Sequence, residues 1–115
     1  MPASSIAELP QPEADYVARA CAVAPLIAAA APRIEAEREL APEVMAALHD
    51  AGLFRMMMPG WLGGGETPPS VFAEVIETIA RADASTAWCL CQMDVCSIAS
   101  VYLPLEQLSA AGIGP

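Results

Sequence analysis

Apolar residues recur at three- and four-residue steps through most of this chain. The pattern predicts helices separated by turns marked with Gly and Pro. From Glu13 to about Glu39, the residues Tyr16, Ala20, Val23 and Ile27 share one stripe of a helix. Pro25 is expected to kink or break it near its middle, because proline lacks an N–H and crowds the preceding turn. The charged end, with Arg33, Glu35, Glu37, Arg38 and Glu39, is assigned to water. A second helix starts at Pro42, where a missing N–H costs nothing, and runs to about Asp50 on Val44, Ala47, Leu48 and Ala51. Gly52 is its expected left-handed cap, and Leu53 and Phe54 pack back onto the helices. Residues 56–69 form a Met-, Gly- and Pro-rich loop. Thr67 or the Pro68-Pro69 pair then opens a third helix, to about Arg81, with Phe72, Val75, Ile76 and Ile79 facing the core. Asp83 or Ser85 caps a fourth, running to about Tyr102; Pro104 ends it, and one short turn fits between Pro104 and Ala111. No segment alternates apolar and polar residues over the length of a strand, so the fold class is all-α, a bundle of about four to five helices.

Composition sharpens this picture. A length of 115 residues sets a ceiling of one domain, divided here into a flexible lead-in (1–12), a helical domain (13–111) and a truncated end (112–115). Alanine, the strongest helix former, is the commonest residue. Acidic residues number 14 against five Arg and no Lys, a net charge of -9. Such a surface makes nucleic acid and anionic membranes poor partners, since phosphate binding needs clustered cations; its plain consequence is solubility. Pro25 and Pro32 interrupt the Ala-rich stretch 20–31, and no apolar run approaches the ~20 residues of a bilayer span. Met1 to Pro12 lacks the basic start and apolar core of a signal peptide, so the expected location is cytoplasmic, with the four Cys reduced.

Candidate chemistry is sparse. Cys89, Cys91 and Cys96 do not form a zinc pattern: on a helix Cys89 and Cys91 point about 200° apart, and the two-residue gap of zinc knuckles is missing. Buried reduced thiols are the expectation, and no metal. His49, the single histidine, sits at a helix C-terminus where the dipole favours an imidazolium, and Asp50 points to another side of the helix. It is assigned a structural or solvent role, and no residue of the chain is assigned as catalytic. Gly60 to Gly65 lacks both the Lys-Ser/Thr ending and the leading strand of a phosphate loop, which leaves a tight turn between helices.

The ordered series from His49 onward resembles the acyl-CoA dehydrogenase superfamily: Leu48-His49-Asp50-Ala51-Gly52-Leu53-Phe54, then Pro59 with Gly63-Gly64, then the helix Val71 to Ala80, then Arg81-Ala82-Asp83-Ala84-Ser85-Thr86-Ala87-Trp88. The likeness spans roughly residues 14 to 104 and is to the N-terminal helical domain. The stretch from Asp83 to Trp88 is similar to the branch that includes two-component monooxygenases, which take reduced flavin from a partner reductase.

The resemblance implies a flavin-dependent oxidoreductase with FAD or FMN, acting when complete on the CH–CH group of an acyl thioester. Its alternatives are a reduced-flavin monooxygenase, and an inactive truncated helical domain or interaction module. In the family the flavin lies mainly between a central β-domain and a C-terminal bundle, both beyond this chain, so the piece alone is expected to be inactive. The helix from Ser85 to Tyr102 corresponds to one that lines the substrate cavity. This nominates Trp88, Cys89, Gln92, Met93 and Cys96, with Ser85 on the same face, as substrate-binding residues; ordinary core is the competing reading of that face. Some family monooxygenases place a histidine about where Met93 stands, and its absence counts against acid–base work by this helix. Trp61, Leu62 and Met56 to Met58 are nominated for contact with the remaining domains, against core filler for the methionines. The implied partners are a small-molecule substrate, those remaining domains and further copies in a homo-oligomer.

Overall fold

A computed structural model describes residues 12–112, with side chains from Tyr16 onward. The flexible lead-in expected for 1–12 falls almost wholly outside that range, as does most of the end at 112–115. Five α-helices follow one another: α1 (Pro12–Glu37), α2 (Pro42–Asp50), α3 (Pro69–Ala82), α4 (Ala84–Ser97) and α5 (Leu105–Ala110). Short 3-10 turns lie at Leu53–Arg55, Gly60–Leu62 and Ile98–Tyr102, and no strand occurs among the described residues.

The long helix α1 is the base of the bundle. Its stripe of Ala20, Ile27, Ala30 and Ile34 is buried, with Tyr16 and Val23 half-buried beside it. This stripe meets α3 above all, through Val75 and Ile79, while Val44 and Leu48 of α2 close the core from one end. Ile34 belongs to the core although charged residues surround it in sequence, because it continues the three- and four-residue steps from Ile27 and Ala30. Arg33 pairs with Glu43 and so ties the end of α1 to the first turn of α2.

Two expectations for α1 are corrected. Pro25 does not break the helix, which continues unbroken through both Pro25 and Pro32 for 26 residues. Both prolines are exposed, so the carbonyl groups they leave without an intrahelical donor lie on the side open to water. Tyr16–Glu37 is also, by length and composition alone, long and apolar enough to cross a membrane, with a mean hydropathy of 1.4. Pro25 and Pro32 do not interrupt this apolar stretch, because the helix absorbs both. Ile27 and Ile34 are spent on the stripe that packs against the rest of the bundle, while Leu26 is exposed and much of the remaining surface is alanine.

Helix ends follow the local chemistry closely. Gly52 takes φ 72 after α2, as a left-handed cap requires. Pro68 and Pro69, rather than Thr67, open α3: Pro69 fills the first helical position, and Thr67 is buried with no capping bond. Asp83 caps α4 through its carboxylate, which accepts from the Thr86 N–H at 2.8 Å and the Thr86 hydroxyl at 2.7 Å. The fourth helix is α-helical only to Ser97 and tightens to 3-10 geometry from Ile98 to Tyr102. Leu103, extended ahead of Pro104, then ends it.

Candidate functional site

Helix α4 has two unlike sides. Thr86, Ala87, Leu90 and Asp94 are buried, three of them at four-residue steps and Ala87 beside them. Facing away lie Ser85, Trp88, Gln92, Val95 and Cys96, all exposed, with Met93 at the edge. Trp88 is 66% exposed, so a large indole stands in water with no partner among the described residues. Of the nominated substrate residues, the fold therefore brings Trp88, Gln92, Met93 and Cys96 to one open surface, and Cys89 is half-buried at its border. Within this chain these four residues do not pack as core.

Exposed apolar residues recur past the end of the helix. Ile98, Val101, Tyr102, Leu103 and Leu105 are exposed, Tyr102 by 85%. Trp61, from the Gly-rich loop, is exposed as well. Its neighbour Leu62 is buried against Met58 and Leu108, so the nomination of Leu62 for contacts beyond the chain is corrected. Met56 and Met58 are likewise buried, as core filler; Met57 is half-buried.

The loop is a compact fold-back. The N–H groups of Gly65, Glu66 and Thr67 donate to the carbonyls of Arg55, Met58 and Met56 at 2.8, 2.9 and 2.9 Å. Gly64 lies so close to the chain that a Cβ there would sit 2.2 Å from the Met58 carbonyl oxygen. Glu66 adopts φ 46 and its carboxylate accepts from the Gly60 N–H at 3.3 Å. The loop is fastened to α1 by Tyr16, which packs against Gly65, while Arg19 stacks over the Tyr16 ring and donates to the Ala51 carbonyl at 3.2 Å. The expectation of a tight turn between helices holds.

Asp94 escaped the sequence reading. It is 0% exposed, and neither carboxyl oxygen has a hydrogen bond of ordinary geometry. Burial pushes its carboxyl up to about 7, against the opposing pull of the Met56 and Met57 backbone N–H groups. The signal was available, since Asp94 stands four residues after Leu90 on the stripe that begins at Thr86.

The four cysteines are free, and the expectation that Cys89, Cys91 and Cys96 are buried is corrected: Cys96 is exposed and Cys89 and Cys91 are half-buried, while Cys21 is exposed as well. Cys89 and Cys96 belong to the open side of α4, and Cys21 to the outward side of α1. No group of three metal-capable side chains converges among the described residues. His49 is exposed and tilts against the Phe54 ring at 4.5 Å between centroids, away from any carboxylate partner. A cavity of about 280 Å³ lies where α1 ends and α4 begins, with Ile34, Arg38, Leu40, Ser85 and Cys89 among its walls.

Residues 15–103 match the family described as "Acyl-CoA dehydrogenase, N-terminal domain". An indole-3-acetate monooxygenase of Pseudomonas putida is 32% identical over 73 residues, covering 64% of this chain and 18% of the relative. A second, from Acinetobacter baumannii, is 37% identical over 46 residues, covering 40% of this chain and 12% of the relative. The chain thus spans less than a fifth of the length of these relatives. No solved structure matches it. With the helical fold, the capped α4 and a family match over most of the chain in agreement, this chain belongs to the acyl-CoA dehydrogenase superfamily and comprises its N-terminal helical domain.

Proposed function

We propose that this chain is the N-terminal part of a flavin-dependent monooxygenase acting on a small aromatic compound, and that the open side of α4 is one wall of its substrate cavity. The observation that carries this reading is the exposure of Trp88, Gln92, Met93 and Cys96 on a helix whose opposite side is fully packed. Such a wall suits an aromatic substrate: the indole of Trp88 offers a stacking surface, and Gln92 offers a donor and an acceptor to orient polar substituents. Both relatives described above carry the name indole-3-acetate monooxygenase, which favours an aromatic acid as the substrate class.

The described residues do not fit a flavin. The cavity between α1 and α4, at about 280 Å³, falls just short of the ~300–1,000 Å³ typical of ligand pockets, and its walls carry two carboxylates, Glu35 and Glu39, against the single cation Arg38, a poor lining for a flavin phosphate. The second depression, by Cys21, Pro25 and Arg81, is an open surface groove, and Arg81 is already engaged by Glu77. FAD or FMN is therefore assigned to the remainder of the enzyme, and no chemical step is routed through this chain. That remainder is the proposed partner of the exposed run from Trp88 to Leu105, in a cytoplasmic homo-oligomer consistent with four free thiols.

An acyl-thioester dehydrogenase is the second reading, favoured by the description of the matching family. The experiment that separates them starts from the coding sequence beyond codon 115. The complete product, supplied with a flavin reductase, is expected to consume oxygen and hydroxylate aromatic acids, with Trp88→Ala raising KM about tenfold. Reduction of an electron-acceptor dye by acyl-CoA, with no oxygenation of aromatic acids, overturns the first reading.

A further inference from the structure

The cavity between α1 and α4 adjoins the substrate wall proposed above, yet that reading gives it no task. Its interior is mainly apolar, built from Ile34, Leu40 and Cys89, and the exposed Ser85 and Arg38 border it. Ser85 and Cys89 continue the stripe of α4 that holds Gln92 and Cys96, at steps of four, three and four residues. The cavity and the open wall therefore share one face of the helix.

Arg38 is a costly residue for its position. It follows α1 with φ 57, in the left-handed region that glycine fills freely and a side chain occupies under strain. Its N–H donates to the Ile34 carbonyl at 2.8 Å and so fixes the turn. Arg19 is engaged at Tyr16 and Ala51, Arg33 by Glu43 and Arg81 by Glu77. The Arg38 guanidinium has no partner among the described residues and borders the cavity. Glycine would end this helix at less strain, so the ending of α1 does not explain the arginine.

We propose that Arg38 is a carboxylate anchor, and that the cavity is a subsite for an aromatic acid with a single ring and a single negative charge. The inference rests on the aromatic-acid reading given above and adds the residue that recognises the acid. The ring lies on Ile34, Leu40 and Cys89, and the guanidinium pairs with the carboxylate through two parallel N–H bonds. The Ser85 hydroxyl stands ready to donate a further bond. Glu35 and Glu39 on the same walls limit what enters: one guanidinium balances one carboxylate, and any further negative charge meets theirs.

Alkylation of Cys89 in the whole chain tests the subsite, because an occupant covers that thiol. Phenylacetate is the probe, and phenylacetamide, of the same shape without the charge, is its control. At millimolar concentration phenylacetate is expected to slow iodoacetamide labelling of Cys89 about threefold, read by peptide mass spectrometry. Phenylacetamide is expected to protect less, and labelling of Cys21, on the outward side of α1, to stay unchanged. Arg38→Gly removes the guanidinium and suits φ 57, so this variant is expected to fold at least as stably and to protect Cys89 equally with either probe. No protection, equal protection by both probes in the wild type, equal slowing at Cys21, or an undiminished preference in Arg38→Gly overturns the proposal. Its failure and that of the monooxygenase reading are separable. Oxygenation by the complete product with no charge preference here sinks the anchor alone, and dehydrogenase activity with the preference intact sinks the monooxygenase alone.

Discussion

Single residues set the sharpest demands in this chain. Gly64 is fixed by a backbone neighbour, because a Cβ would meet the Met58 carbonyl oxygen, which has no flexible end to move aside. Gly64→Ala is expected to destabilise the fold by about 1–3 kcal/mol, read from denaturant midpoints at constant m-value. Asp94 makes a different demand. Burial holds its carboxyl at about 7 in the folded chain, well above the ordinary 3.8 of an aspartate, so the native state holds the proton more tightly. That stability is fully present below pH 4 and is lost as pH rises through 7. The loss is on the order of 4–5 kcal/mol, at ~1.4 kcal/mol per unit. Urea unfolding at pH 5 and pH 8 should show this decline in the wild type and a smaller one in Asp94→Asn. Periodicity alone could have located Asp94. What hid it was residue type, since an acid on a helix is ordinarily assigned to solvent.

Among elements, α4 shows how a helix can be fully specified and only half used. Its start is set by Asp83, and Asp83→Ala should cost about 1 kcal/mol in thermal or chemical unfolding through loss of the cap to Thr86. The same cap was legible in the sequence, as were the limits of α2 and α3, because Pro42, Gly52 and Pro69 act through local backbone rules. The outcome for α1 was not. Pro25 predicts a break from local sterics, but the packing of Ala20, Ile27, Ala30 and Ile34 on α3 holds the helix on both sides of it, and tertiary contacts outweigh one lost bond. The nominated site was legible as a shared helical face; that it lies open depends on which side of α4 meets α3 and the 53–55 turn, and no local rule fixes that.

At the scale of the whole molecule, apolar surface is distributed unevenly. The exposed run of Trp88, Val95, Ile98, Val101, Leu103 and Leu105 is long for a protein with no partner. The chain on its own is expected to self-associate, eluting on size exclusion ahead of its 12.0 kDa mass in a concentration-dependent way; a sharp monomer peak at all concentrations would show that this surface needs no cover. Both tryptophans take part in that exposure, Trp61 at 53% and Trp88 at 66%. Their indoles are thus already hydrated in the folded chain, and their emission should sit near that of free indole whether the bundle is formed or unfolded. Intrinsic fluorescence, ordinarily a gauge of folding, becomes here a gauge of assembly: a shift to the blue records the moment when another protein surface closes over α4 and the Gly-rich loop.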